Sequence, residues 1–462
     1  MAKLSGPIST GAHGWAFGAS LRDLADVGYE ENEFFLSGDA TRYTLAKGSD
    51  HSFNGEWDVE KSGTSPFRTR LVVRRPTDPN RFNGTVIVNW NNVSNGFENL
   101  PGMSAELSDA GFAWVGASVQ KVGLLGFPFG EPRGLVAWDS ERYGTLSIPD
   151  DDLSYDIFTQ VAAVVGPARS AQPPDLMAGL EVRRLLAFGG SQSACRLATY
   201  YNAVQPLTRA FDGFLIAVYP GGGTLVDSTK PGPEMAEVPP AARSVVNLLP
   251  FSSHTLRTDL EAPMLVLNSE TEGSWYHPVR QPDTDKYRLW EVAGAAHASG
   301  GATEETTARQ QRDFGEVPPG PAIPADANPS TLSFAPVTEA ALQHMQRWIS
   351  GGAPPPVQAR IEFAGDPPAI ARDEHGNALG GIRLPHFAAA TASHRGASPE
   401  GVPDLTGSSN AFPRETLRKL YPDREAYVAR FEAAVRDGLD RGFLLPRAAE
   451  RLRAEAAAAQ IP

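Results

Sequence analysis

Short apolar runs recur along this chain, each bounded by glycine, proline or small polar residues, and between several of them the apolar spacing becomes helical. The runs Phe67 to Pro76, Gly84 to Trp90, Phe112 to Val119, Leu185 to Phe188, Phe214 to Tyr219, Met264 to Ser269 and Tyr287 to Val292 are rich in β-branched and aromatic residues, which predicts buried strands. Met103 to Ala110 and Tyr155 to Val165 read as helices, the latter with Ile157, Val161, Val164 and Val165 as its apolar positions. A further helix follows Ser191, where Ala194, Leu197, Ala198 and Tyr201 fall at i, i+3, i+4 and i+7. Strand, helix and strand in succession require a right-handed crossover, so the pattern predicts an α/β fold with a mostly parallel, doubly wound sheet.

Elsewhere the pattern is weaker. Before residue 67 it suggests two short edge strands, Glu33 to Leu36 and Thr41 to Leu45. Residues 121 to 153, with Gly126-Phe127-Pro128-Phe129-Gly130, read as a loop over one face. The irregular, proline-rich stretch 224 to 260 reads as a lid, and 302 to 336 as a polar loop. A helix with Leu342, Met345, Trp348 and Ile349 on one stripe follows, capped by Thr338. Pro354-Pro355-Pro356 marks a break, and beyond it two helices are expected. The first sets Val428, Phe431 and Val435 on one face, and the second starts near Pro446, since proline suits a first helical turn.

Composition narrows the partners. A chain of 462 residues with 41% hydrophobic content can bury a large core, and its net charge of -13 argues against a nucleic-acid or anionic-membrane partner, both of which need a cationic face. No run reaches the roughly 18 apolar residues of a membrane span, and the first residues carry no apolar leader, so a cytoplasmic location is expected. The one cysteine, Cys195, forbids an intramolecular disulfide and reads as a small buried hydrophobe.

The most chemically specific stretch is Leu185-Leu186-Ala187-Phe188-Gly189-Gly190-Ser191-Gln192-Ser193-Ala194. A serine on a sharp strand-to-helix turn is what a nucleophile elbow requires, because the turn lifts the hydroxyl clear of the sheet. The spacing is G-x-S-x-S, with Ser193 at the second small position of G-x-S-x-G; the plain alternative is a glycine turn with serine caps. The strand 264 to 269 is followed by Glu270 and Glu272, and the strand 287 to 292 by Ala293-Gly294-Ala295-Ala296-His297. Serine, carboxylate, histidine is the chain order of α/β-hydrolases. A neutral imidazole can accept the serine proton, and a carboxylate can hold its tautomer.

Of the nine histidines, His297 alone follows a strand directly, inside a run of small residues that lets a loop approach the elbow. His254, His277 and His344 read as surface or capping residues. For the acid, Glu272 is preferred, since a position a few residues past the strand leaves its side chain room to turn back; Glu270 is the second choice, and Asp283 and Asp285 lie too near the next strand. The oxyanion donors expected are the backbone N-H of Gln192 and one from the loop after residue 90, at Asn92 or Val93. Trp138, Trp275 and Tyr276 are candidate pocket walls, although packing explains them equally.

The elbow Gly189 to Ala194, the segment Val88-Asn89-Trp90-Asn91-Asn92-Val93-Ser94 and the stretch Arg288 to His297 resemble the long "alpha/beta hydrolase domain" branch of the α/β-hydrolase superfamily. The similarity extends to Gly28 to Phe34 near the start, and to Gly376 to Pro385, Tyr421-Pro422 and Gly442 to Leu445 near the end. This resemblance implies one unit over residues 1 to 462, with a core of about 67 to 352, the lid at 224 to 260, and a C-terminal extension 353 to 462 packed on the core. It also implies serine-esterase chemistry with no named substrate, and Glu272 stands where the branch would show an aspartate.

The resulting expectation is cleavage of a small carboxylic ester through an acyl-enzyme, by Ser191, His297 and Glu272, with no cofactor and no metal. The same residues would serve an amidase or an acyltransferase. A non-catalytic ligand-binding protein of the same fold is the reading from another class, because fold alone does not prove activity. A metal-dependent hydrolase built on Glu270 and Glu272 lacks any H-E-x-x-H or Cys/His ligand spacing. The sequence sets no oligomeric state.

Overall fold

In a computed structural model, residues 2–170, 173–229, 253–298, 301–318, 328–396 and 405–461 are described. The chain forms two compact units: Met1–Met264 with Glu305–Gly320 and Ile349–Gly351, and Leu265–Glu304 with Pro321–Trp348 and Gly352–Pro462.

The first unit is organised on a sheet of strands β1 (Lys3–Ser5), β2 (Tyr29–Leu45), β3 (Val59–Pro76), β4 (Thr85–Trp90), β5 (Ala113–Ala117), β6 (Arg184–Gly190) and β7 (Gly213–Ala217). Their spatial order is β1-β2-β3-β5-β4-β6-β7. From β5 to β7 every pairing is parallel, with Val88 opposite both Val115 and Ala187, and Gly190 opposite Ala217. β4, β5 and β7 are buried at every position, as a parallel sheet covered on both faces requires. The crossovers carry helices α1 (Ala105–Asp109), α2 (Ser154–Val165) and α3 (Gln192–Thr199). α2 turns Ile157, Phe158, Val161, Ala162 and Val165 inward. Phe158 lies 5.0 Å from Trp90 and stacks on Phe211 at 4.8 Å, so one aromatic cluster ties the helix to the sheet.

Two expectations needed revision here. The two short strands before residue 67 are one 17-residue strand, β2, paired antiparallel with β3. Ser37-Gly38-Asp39 resembles a turn, yet these residues pair with Arg68, Phe67 and Pro66, and the irregularity falls later, between Arg42 and Tyr43. Residues 121 to 153 fold into helical turns at Lys121–Leu125, Leu135–Trp138 and Ser140–Tyr143 that bury Leu124, Leu135 and Tyr143. In the stretch 224 to 260, residues 230–252 lie outside the described residues, so the lid reading stays an expectation.

The second unit holds neighbouring strands β8 (Met264–Ser269) and β9 (Tyr287–Val292), with helix α4 (Glu270–Tyr276) between them in sequence. The stretch read as a polar loop from 302 begins instead as helix α5 (Gly301–Phe314). Its buried residues include Arg309 and Asp313, so no apolar stripe advertises it. Helix α6 (Ala335–Ile349) begins before Thr338, which lies inside it and bonds back to the Phe334 carbonyl, while Ser333 Oγ accepts from Ala335 N at 3.3 Å. Helices α7 (Arg424–Asp440) and α8 (Pro446–Ala458) pack together, burying Tyr427, Phe431 and Val435 of one and Ala448, Ala449 and Leu452 of the other. His344 is not a surface residue, since its Nε2 meets the Gly442 carbonyl at 2.8 Å and its ring edges onto Trp290. Among the described residues no helix is long and apolar enough to cross a membrane.

Candidate active site

The turn between β6 and α3 places Ser191 at φ 59° and ψ -123°, a conformation that an L-residue adopts at a cost of about 1–3 kcal/mol. The surrounding bonds hold it there. Ser191 N-H donates to the Ala217 carbonyl at 2.9 Å, and Cys195 N-H to the Ser191 carbonyl at 3.2 Å. Ser193 Oγ accepts from Gly190 N-H at 3.0 Å and donates to the Gly190 carbonyl at 2.8 Å, while Asn92 Nδ2 donates to the same carbonyl at 3.0 Å. The serine that departs from G-x-S-x-G is therefore a clasp on the residue before Ser191. A Cβ at Gly189 would crowd the Leu197 side chain at 2.9 Å and the Ser193 carbonyl at 3.0 Å, so a larger residue there would have to shift both. One strand over, Val218 also has a positive φ of 46°, so a second strained residue adjoins this turn.

Behind the turn runs a buried polar chain that the sequence did not announce. Gln192 Nε2 donates to Gln120 Oε1 at 3.0 Å, and the Trp90 indole donates to the same oxygen at 2.9 Å. Gln120 Nε2 donates to Asp151 Oδ2 at 3.1 Å, and Arg196 pairs with that oxygen at 3.3 Å. The bonded partners lie 30 to 72 residues apart in sequence, so no local spacing could have revealed them. Gln192 opens α3, where first-turn N-H groups have no acceptor inside the helix and carry the positive end of its dipole. Asn92 has its side-chain amide engaged at Gly190 and its carbonyl at Asn99 N-H, while Val93 is buried against Val122.

In the second unit, His297 Nδ1 meets Glu272 Oε1 at 2.6 Å, with Glu272 fully buried and the imidazole 17% exposed. Glu272 is the third residue of α4, where the helix dipole favours a carboxylate. Its Oε2 accepts from Ser269 N-H at 3.2 Å and from the Ser269 hydroxyl, a capping box that fixes the side chain. The carboxylate accepts, so Nδ1 carries the proton and Nε2 is left as the lone-pair nitrogen. His297 N-H donates to Thr271 Oγ1 at 3.1 Å, and that hydroxyl donates to the Gly396 carbonyl. Glu270 does other work: its oxygens accept from Arg372 and from Gly294 N-H, both at 2.7 Å, which braces the loop leading to His297. That loop requires glycine at 294, where φ is 72° and a Cβ would fall 2.1 Å from the Phe387 ring.

Trp138 and Tyr276 are held in the packing, while Trp275 is half-buried. Tyr276 and Tyr287 hydroxyls share a bond of 2.7 Å, and the Trp138 indole donates to the Asp313 carbonyl at 2.6 Å. His277 stacks on Phe363 at 4.2 Å. His254 is buried at 1% exposure beneath Trp57, with Nδ1 donating to the Thr255 carbonyl at 3.0 Å, so the surface reading does not hold for it.

A family model described as alpha/beta hydrolase domain matches residues 4–454. No curated protein sequence matches the chain. Among solved structures, esterase Est22 is 11% identical with a TM-score of 0.34, over 68% of this chain and 81% of that one. A putative dienelactone hydrolase from Klebsiella pneumoniae is 14% identical at TM-score 0.25, covering 61% and 97%. Oligopeptidase B from Trypanosoma brucei is 12% identical at TM-score 0.27 over 55% of this chain, which spans only 33% of that enzyme's length.

Proposed function

Because the chain belongs to the alpha/beta hydrolase domain family, we propose that it is a serine hydrolase that cleaves a carboxylic ester through an acyl-enzyme. The observation that carries this reading is the backbone of Ser191: a positive φ on a non-glycine residue between a parallel strand and a helix, kept by five hydrogen bonds, is strain that an ordinary turn has no use for. The His297–Glu272 pair supports it, being an imidazole oriented by a carboxylate with its second nitrogen left to accept a proton.

In this reading Ser191 Oγ bonds to the ester carbonyl carbon and passes its proton to His297 Nε2. The Gln192 N-H takes the oxyanion, with a second N-H from the loop at Asn92 and Val93. The carbon–oxygen bond to the alcohol breaks, and the alcohol leaves with the proton from His297. Water, deprotonated by the same nitrogen, then attacks the acyl carbon and frees Ser191. Glu272 holds the imidazole and stabilises its cation throughout. An amine leaving group or an alcohol in place of water would give the amidase or acyltransferase variant. The protein would act on a small molecule in the cytoplasm, without cofactor.

Ser191→Ala should abolish turnover of 4-nitrophenyl acetate and labelling by a fluorophosphonate while the melting temperature stays near wild type. Unchanged kinetics in that variant would refute the assignment.

A further inference from the structure

The first unit holds a buried arginine, Arg309, that makes no ion pair among the described residues. Arg309 is 6% exposed and its Nη1 has no hydrogen-bond partner. Three neighbouring guanidinium groups each meet a carboxylate: Arg70 with Glu33 and Glu98, Arg74 with Glu31, and Arg312 with Asp313. Asp313 accepts from Arg312 and the Trp15 indole through Oδ1 and from Gly18 N-H through Oδ2, and forms no hydrogen bond with Arg309. Burial disfavours the charge on Arg309, opposed by the nearby carboxylates of Glu305 and Asp313; the buried Nη1, with no acceptor among the described residues, is costly until an incoming acceptor satisfies it.

Arg309 lines a cavity of about 20 Å³ whose walls include Phe17, Phe97 and Phe314 in mutual ring contact. That is room for about one water-sized group, hence for the end of a ligand. Glu98 also lines it, with Oε2 held by Arg70 and Asn91, each at 3.2 Å, and with no hydrogen bond to Oε1 among the described residues. The cavity is tied to the turn at Ser191 through another wall residue. Asn99 N-H donates to the Asn92 carbonyl at 2.8 Å, and Asn92 Nδ2 donates to the Gly190 carbonyl at 3.0 Å.

Resting on the serine-hydrolase reading, we propose that Arg309 is a specificity residue that receives a carboxylate carried by the substrate, so that the preferred substrates are esters bearing a second, free carboxylate. The guanidinium supplies the charge-assisted hydrogen bond that selects that group.

The test compares 4-nitrophenyl half-esters of succinic, glutaric and adipic acid with the length-matched neutral butyrate, pentanoate and hexanoate, using the full chain and its Arg309→Gln and Arg309→Lys variants. Separately, calorimetry measures free glutarate binding to Ser191→Ala. At least one half-ester should exceed its neutral match in kcat/KM. Arg309→Gln should lower that preference by about 10- to 100-fold, the loss of one charge-assisted hydrogen bond, with Arg309→Lys restoring part of it. Glutarate should bind and compete with the ester. Equal losses on both ester types would mark Arg309 as structural and overturn the proposal, as would a preference for neutral esters throughout or glutarate binding that does not compete. Should no ester be turned over while glutarate binding persists and depends on Arg309, the carboxylate site stands and the hydrolase reading falls.

Discussion

Two neighbouring glutamates, Glu270 and Glu272, are chemically alike and both fully buried, yet the structure gives them different partners. Glu272 meets His297 Nδ1, whereas Glu270 is committed to Arg372 and Gly294 N-H. Glu272→Gln should therefore cut kcat by orders of magnitude with a modest effect on KM, since an amide cannot stabilise the imidazolium. Glu270→Gln should leave a larger share of kcat and cost stability instead, about 3–5 kcal/mol, because the ion pair with Arg372 is broken on its buried side. Side-by-side kinetics and urea unfolding of the two variants check this, and the reverse pattern would reassign the acid. The sequence placed both carboxylates at the end of one strand, but which of them faces an imidazole depends on a side-chain direction that a helix start sets.

At the scale of elements, the strained turn works because β6, β7, α3 and the loop after β4 all bond to it. Ser193 is the local part of that arrangement. Ser193→Gly, which restores the more familiar G-x-S-x-G spacing, should destabilise the protein by about 1–3 kcal/mol, because it removes both bonds to Gly190 and adds backbone freedom in a helix. It should also lower kcat more than it changes KM, as the turn loses its clasp; a melting temperature at or above wild type would contradict this. The strands were legible because their apolar runs are continuous, and α3 because its face repeats at helical spacing. α5 was not legible: the side chains it buries include two charged residues, Arg309 and Asp313, whose burial is decided by tertiary contacts. β2 was split at Ser37-Gly38-Asp39 because local turn chemistry there is outweighed by pairing with β3 along 17 residues.

Across the whole molecule, burial of ionisable groups makes stability depend on pH. Burial lowers the pKa of His51, His254 and His394 to about 4. A histidine whose folded pKa is depressed adds stability that is complete above the unfolded value near 6.5 and is lost as pH falls toward 4. The unfolded chain binds the proton in that window and the folded one does not. For His254, the difference in unfolding free energy between wild type and His254→Leu should shrink steadily from pH 7 to pH 4.5, read by urea unfolding at each pH. A constant difference would mean the folded protein takes up the proton without penalty. Asp152, raised to about 6 by burial, has the opposite sign: its contribution is complete below pH 4 and declines as pH rises through 6. The single-site comparison keeps the two effects apart.

The order of strands and helices, the elbow serine, the histidine after a strand and the pair of candidate acids follow from the sequence itself, because continuous apolar runs, helical periodicity and glycine turns are local properties. Tertiary structure alone decided that Glu272 and not Glu270 faces His297, that Ser193 and Asn92 grip Gly190, that Gln120 and Asp151 back up Gln192, and that Arg309 is buried unpaired. Each of these is a hydrogen bond, or the want of one, between side chains whose meeting depends on how distant segments pack, and no spacing along the chain encodes it.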